Sequence, residues 1–240
     1  MVFAWVAGAC IILAASFVMG LAGFGIGLVG LAFLPFVMSP ATAVVLLTLY
    51  AFVIAIAIFV PLRRDFRPHG MLDLVVGTVV GTPFGVWVLA TFPASALNRL
   101  IGLVLVAVVL LEWRGLYPEK LSRRRWGLGA GLLAGLIGGA VGTPGPPVIL
   151  YATAQGWSPR TMKANLQAFF AVNQGVILVG YWWASLLTAE VWRLTAAFAV
   201  PAAIGLAVGV SLFNRIDQAQ FRRMVFGLLG ISGLVLIAHG

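Results

Sequence analysis

Acidic side chains are nearly absent from this chain: six in 240 residues, at Asp65, Asp73, Glu112, Glu119, Glu190 and Asp217. All lie in links or near the ends of apolar stretches, so the sequence offers no buried acid as a proton relay and no carboxylate cage for a cation. Histidine is as scarce. His69 falls in a basic link and His239 near the last residue, neither with a partner at metal-ligand spacing, so neither a metal nor a cofactor is expected. The one cysteine, Cys10, excludes an intrachain disulfide, and its apolar neighbours suggest a packing role rather than a reactive thiol. There is no Ser/His/Asp or Cys/His set, and GGAVGTPGPP lacks the Lys-Ser/Thr ending of a phosphate loop. An enzyme is not expected.

Apolar residues fill the space: 62% of the chain is hydrophobic and only 9% charged, with a mean hydropathy of +1.10. Water is not the main solvent of such a chain. Fifteen Lys and Arg give a net charge of +9. In a soluble protein that would suggest nucleic acid, but here the cations sit in short links between apolar runs, as membrane topology demands, and lack the aromatic interleaving that stacks bases. The lipid bilayer is the expected partner, and nucleic acid is not. The opening run has no basic stretch before it, so it is expected to remain as a span rather than be cleaved.

Charges, glycines and prolines divide the chain into eight hydrophobic segments, at about 2–37, 41–61, 71–91, 97–113, 127–155, 164–187, 191–213 and 222–238. As one straight helix the first would be about 54 Å long, far beyond the roughly 30 Å of hydrocarbon. It must break, and Gly20, Gly23, Gly25, Gly27, Gly30 and Pro35 supply the means. The fifth segment repeats the device with Gly135, Gly138, Gly139 and Gly142 running into Thr143-Pro144-Gly145-Pro146-Pro147. GLAGFGIGLVG at 20–30 aligns with GLIGGAVGTPG at 135–145, Ser39-Pro40 with Ser158-Pro159, Gly81–Gly85 with Gly205–Gly209, and Arg99 with Arg223. Two related halves follow, residues 1–116 and 127–240, joined by a basic cytoplasmic linker at 117–126.

Basic links stay in the cytoplasm. The link with Arg63, Arg64 and Arg67 is basic in the first half, whereas in the second the basic link is the later one, near Arg215, Arg222 and Arg223. The central link, with Arg114, Lys120, Arg123, Arg124 and Arg125, is the most basic. The expected fold is therefore an all-α polytopic membrane protein of two inverted repeats. Each is a glycine-broken helical hairpin followed by three transmembrane helices, up to ten helical pieces in all, with both termini facing outward. Trp5, Trp113, Trp126, Trp157, Trp182, Trp183 and Trp192 cluster near segment ends and are expected as interfacial anchors.

Irregular backbone at membrane depth persists only where protein or a wet cavity satisfies it, so the two breaks are the functional candidates. A half-helix that starts there aims free amides and the positive end of its dipole inward, which suits an anion. Gly25, Gly27, Thr143 and Gly145 are the expected backbone or hydroxyl donors. The bland alternative is that the glycines only let helices pack closely. In the sixth segment Asn165, Phe169 and Asn173 share one helical face, and Lys163, Gln167, Phe170 and Gln174 a neighbouring one. Gln167 aligns with Thr48, and Phe169 with Tyr50. Thr48, Tyr50, Asn165, Gln167 and Asn173 are expected to complete the substrate shell, the alternative being interhelical hydrogen bonds without a ligand.

GLAGFGIG, GLIGGAVGTPGPP, the helices after Pro40-Ala41-Thr42 and Pro159-Arg160-Thr161-Met162-Lys163-Ala164-Asn165, and the closing GLLGISGLVLI together resemble the TauE/SafE family of sulfite exporters. The resemblance covers nearly the whole chain. It implies a bacterial or archaeal cytoplasmic-membrane transporter of small anions such as sulfite, sulfoacetate or other organosulfonates, with some relatives assigned to carboxylates. The family's glycine signature maps to Gly23, Gly25 and Gly27 and to Gly138, Gly139 and Gly142, and the chain departs from the usual glycine triplet at Ile26, Leu28 and Thr143-Pro144. The expected function is alternating access to an anion site between the two breaks, with a homodimer as a candidate assembly. A channel-like anion conduit or a non-transporting membrane scaffold is the alternative.

Overall fold

The computed structural model describes residues 2–68, 70–114, 124–212 and 218–239. Among these the regular structure is helical: α1 (Val2–Ala22), α2 (Ile26–Phe33), α3 (Pro40–Leu62), α4 (Met71–Thr91), α5 (Ala94–Trp113), α6 (Arg124–Val141), α7 (Gly145–Thr153), α8 (Pro159–Trp183), α9 (Ala189–Ala197), α10 (Ala199–Leu212) and α11 (Gln218–His239). Most of the 117–126 link lies outside the described residues, as do His69, Arg215 and Asp217, and so do the side chains of Arg124, Arg125, Arg222 and Arg223.

Four stretches among the described residues are long and apolar enough to cross a membrane: Trp5–Ala22, Pro40–Asp65, Met71–Thr91 and Ala94–Trp113. The α9/α10 pair, bent by 49°, makes a fifth. The sequence places that pair in one segment, at about 191–213. Pro201 explains the bend, because it has no N–H to return to the carbonyl of Ala197, the last residue of α9. Helix α8 has 25 residues, ample to span, but its Lys, Asn and Gln side chains keep it out of that set. Large apolar side chains stand exposed along the spans, as at Leu72, Val76, Val79, Val80, Phe84 and Trp87 of α4, which is what a lipid-facing helix presents. Cys10 is also exposed on α1, so it fills no core gap. Of the expected anchors, Trp113 and Trp183 at helix ends are the most exposed.

The chain forms two compact units, each assembled from pieces of both sequence halves. Unit 1 comprises residues 1–47, 92–115 and 187–240, and unit 2 residues 48–91 and 116–186. In unit 2 the principal pairing is α4 with α6. Gly77, Gly81 and Gly85 on α4 face the carbonyls of Leu128, Leu132 and Leu136, while Gly131, Gly135 and Gly139 on α6 face those of Leu74, Thr78 and Thr82. A Cβ at any of the six would run into backbone, so the helices touch main chain to main chain. Close approach of this kind gains van der Waals contact and Cα–H···O interactions where no hydrophobic drive exists between helices in lipid.

Unit 1 repeats the arrangement with α1 and α10: Gly205 and Gly209 face the carbonyls of Leu13 and Phe17, and Gly20 faces that of Leu206. The match is positional. Ala22, Ile26 and Pro40 bound their helices as Val141, Gly145 and Pro159 do, each 119 residues on. Gly20 meets Leu206, Gly209 and Val210, whereas Gly139 meets Thr82, Gly85 and Val86, each 124 residues earlier. Gly20 therefore corresponds to Gly139, one helical turn beyond the Gly135 chosen by sequence alignment. Glycines recurring every four residues make that register ambiguous until a partner helix fixes it. Unit 1 also holds the α5/α11 pair, where Gly102 faces Gly233.

Candidate functional site

Most of the glycines read as helix breakers are packing residues. Gly20, Gly135 and Gly139 lie inside helices against backbone, and Gly30 lies in α2 against Leu47. The first interruption is confined to 23–25, where Gly23 (φ 79°) and Gly25 (φ 102°) are left-handed, a conformation side chains resist. The second is 142–144, with Gly142 at φ 65°. Both fall inside the stretches from which the sequence predicts a break.

The second interruption is wholly covered by protein: Val141, Gly142, Thr143, Pro144 and Gly145 are all buried, whereas Phe24 and Gly25 at the first are partly exposed. Helix α8 packs against the covered break. A Cβ on Gly138 would lie 2.9 Å from Ile177 Cδ1, 3.1 Å from Pro144 Cβ and 3.4 Å from Asn173 Oδ1, and one on Gly145 would lie 3.9 Å from Phe170. Tyr181 Oη donates to the Gly139 carbonyl (2.8 Å), and Thr48 hydrogen-bonds the same phenol. The end of α6 is thus tied to α8 by a buried tyrosine.

Helix α7 opens at Gly145 with no side-chain cap and with prolines in its first turn. Pro146 and Pro147 carry no N–H, so of its first-turn amides only those of Gly145 and Val148 can meet a ligand. Helix α2 also lacks a side-chain cap, and its N-cap is Gly25. Its first turn, Ile26, Gly27 and Leu28, keeps all its amides.

Asn165, Gln167, Asn173 and Gln174 are all buried on α8, and two of them have definite partners. Asn165 Oδ1 accepts the Arg67 amide at 2.9 Å, holding the link after α3 onto α8. Asn173 Nδ2 donates to Thr78 Oγ1 at 3.0 Å, and Thr78 Oγ1 donates to the Gly131 carbonyl at 3.1 Å. That chain of bonds orients the amide. A main-chain carbonyl only accepts, so Thr78 must spend its proton there and receive one from Asn173, which turns Asn173 Oδ1 toward Gly138 and the break. Asn173, expected in the substrate shell, thus turns an acceptor toward the break.

Thr143 Oγ1, Asn165 Nδ2, Asn173 Oδ1 and Gln174 Oε1 are buried without a partner among the described residues. A buried polar atom left unpaired costs about 1–3 kcal/mol, and unit 2 holds four of them along α8 and at the second break. Thr48 and Tyr50 are buried on α3. Thr48, Tyr50, Thr143, Gly145, Asn165, Gln167 and Asn173 belong to unit 2, Gly25 and Gly27 to unit 1. Sequence reasoning passed over Thr78 and Tyr181. The signal for Thr78 was present as the repeated Gly-Thr pairs Gly77-Thr78 and Gly81-Thr82 on one face of α4. Tyr181 carries no local signal, because its value lies in reaching α6.

A family model described as sulfite exporter TauE/SafE matches residues 8–236. A probable sulfite/organosulfonate exporter TauE of Cupriavidus necator is 31% identical over 170 residues, or 68% of this chain and 65% of that protein. The match therefore spans slightly less than two thirds of that relative's length. No solved structure matches.

Proposed function

The chain belongs to the sulfite exporter TauE/SafE family, and from that premise we propose that it carries a small anion, sulfite or an organosulfonate, across the cytoplasmic membrane by alternating access. The observation that carries the reading is the buried break of unit 2 against the amide-rich face of α8. Irregular backbone covered by protein, an uncapped half-helix start and unpaired side-chain dipoles are costly for a scaffold and useful to a carrier. The Gly145 amide and the Thr143 hydroxyl would receive the anion's oxygens. Gln167, Thr48 and Tyr50 would shape the polar path, and Asn165 would supply its unpaired Nδ2 protons while its oxygen steadies the Arg67 link. In unit 1 the amides at Gly25 and Gly27 would meet an anion in the same manner.

We also infer that the two halves are inverted repeats. Support comes from the reversed charge bias of their links, from helix ends recurring 119 residues apart, and from the exchanged pairings α1/α10 and α4/α6. Ten helical pieces in an inverted pair, with both termini outward, accommodate these features. Proteoliposome uptake tests the function. Saturable flux of sulfite or sulfoacetate, competed by the other anion, supports a carrier, flux that rises linearly with concentration indicates a conduit, and no flux of either anion removes the reading.

A further inference from the structure

The unpaired atoms at the second break are a curious set for an anion alone, because the best oriented of them is an oxygen. Asn173 Oδ1 is fully buried and fixed as an acceptor by the Thr78 and Gly131 bonds. Thr143 Oγ1, 4% exposed, is unpaired within the break itself. The third contributor is the end of α6. Its last carbonyls form the negative pole of the helix dipole. Gly138's carbonyl takes the Gly142 amide and Gly139's takes Tyr181, but the residue four beyond Ala140 is Pro144, which has no N–H to give. One break thus joins an amide-bearing helix start, an acceptor-rich helix end and two buried side-chain oxygens.

We propose that this place binds one monovalent alkali cation, Na+ being the probe of choice, through the carbonyl end of α6, Thr143 Oγ1 and Asn173 Oδ1. Neutral oxygen ligands with no carboxylate suit a single positive charge, which needs less compensation than a divalent ion. The corresponding positions of the first half cannot do the same: Phe24 stands for Thr143, Gly25 for Pro144 and Ile54 for Asn173. Among the described residues, the oxygen set of the second break is thus not repeated at the first. The binding site stands on geometry alone. Its use in coupling rests on the transport reading above, since a cation beside the Gly145 amide would lower the cost of burying an anion there.

Thermal unfolding of the purified full chain in detergent, titrated with NaCl against choline chloride at constant ionic strength and with no anion substrate, tests the site. The expected result is a saturable rise in Tm with Na+ that choline does not give, since a ligand stabilises the state that binds it. Thr143→Val and Asn173→Leu should abolish the rise, and Thr143→Ser, which keeps the oxygen, should retain it. Equal Tm in Na+ and choline, or a rise that survives in folded Thr143→Val, overturns the proposal whatever the flux assay shows. If Na+ stabilises but no anion is transported, the cation site stands and the transport reading falls.

Discussion

The two glycine-sealed helix pairs, α1/α10 and α4/α6, are built to one plan and furnished differently. Their backbones meet at corresponding positions, with Gly20, Gly205 and Gly209 in one and Gly139, Gly81 and Gly85 in the other. The side chains around them diverge. Where α4 carries Thr78 and Thr82, α10 carries Ala202 and Leu206, and where α8 carries Asn165, Asn173 and Tyr181, α3 carries Leu46, Ile54 and Leu62. A shared frame with one polar copy says that the glycines make the fold, and under the proposed function the second copy's dipoles make the site. The breaks differ in the same sense: the first offers more amides, the second more oxygens and deeper cover.

The frame can be broken in either copy with equal effect. Gly81→Leu and Gly205→Leu should each abolish recovery of folded protein in size-exclusion chromatography, because the new side chain meets the Leu132 or Leu13 carbonyl of the facing helix. Even Ala at these positions forces the helices apart, at about 1–3 kcal/mol for overpacking. If one of the pair tolerated Leu, the two interfaces would not be equivalent.

At the breaks the copies should separate. Gly25→Ala forces a left-handed φ on a side chain and should cost about 1–3 kcal/mol, visible as a lower Tm. Gly145→Ala meets only ordinary contacts with Ile149 and Phe170, so it should fold with an unchanged Tm. Gly145→Leu, reaching further toward the anion's place, should abolish flux while leaving expression intact. Unchanged flux in Gly145→Leu would remove the α7 start from the site.

Smaller effects sharpen the contrast of polar furnishing. Tyr181→Phe removes the bond to the Gly139 carbonyl and should lower stability by about 1 kcal/mol, with a Tm shift as the readout. Thr78→Val leaves Asn173 Nδ2 without its acceptor. It should weaken the α4/α8 contact by about 0.6 kcal/mol, the average for such bonds in a membrane, and free the Asn173 amide to turn. The Arg160–Asp65 pair, 3.9 Å apart with Arg160 80% exposed, should contribute almost nothing, as surface pairs do.

Much of this was legible in the sequence because local chemistry dictates it. Left-handed backbone at Gly23, Gly25 and Gly142 needs glycine, prolines after Thr143 forbid a continuous helix, and the amides of α8 stand out in an apolar chain. Which glycines break and which pack was not legible, since a residue without a Cβ serves both purposes and only the facing helix decides. The exchange of helices between halves was hidden for the same reason. The bend at Phe198 was written in Pro201. The orientation of Asn173 depends on Thr78, some 95 residues distant, and no reading of α8 by itself could supply it.

Two hydroxyls buried without a partner among the described residues, Ser16 in α1 and Thr143, test the central claim that the second break is the working part. Sulfite flux into proteoliposomes should be measured for Ser16→Ala and Thr143→Val, both checked for native elution. Flux at the parental rate in Ser16→Ala with at least a tenfold loss in Thr143→Val is the predicted result. Parental flux in folded Thr143→Val would contradict the account.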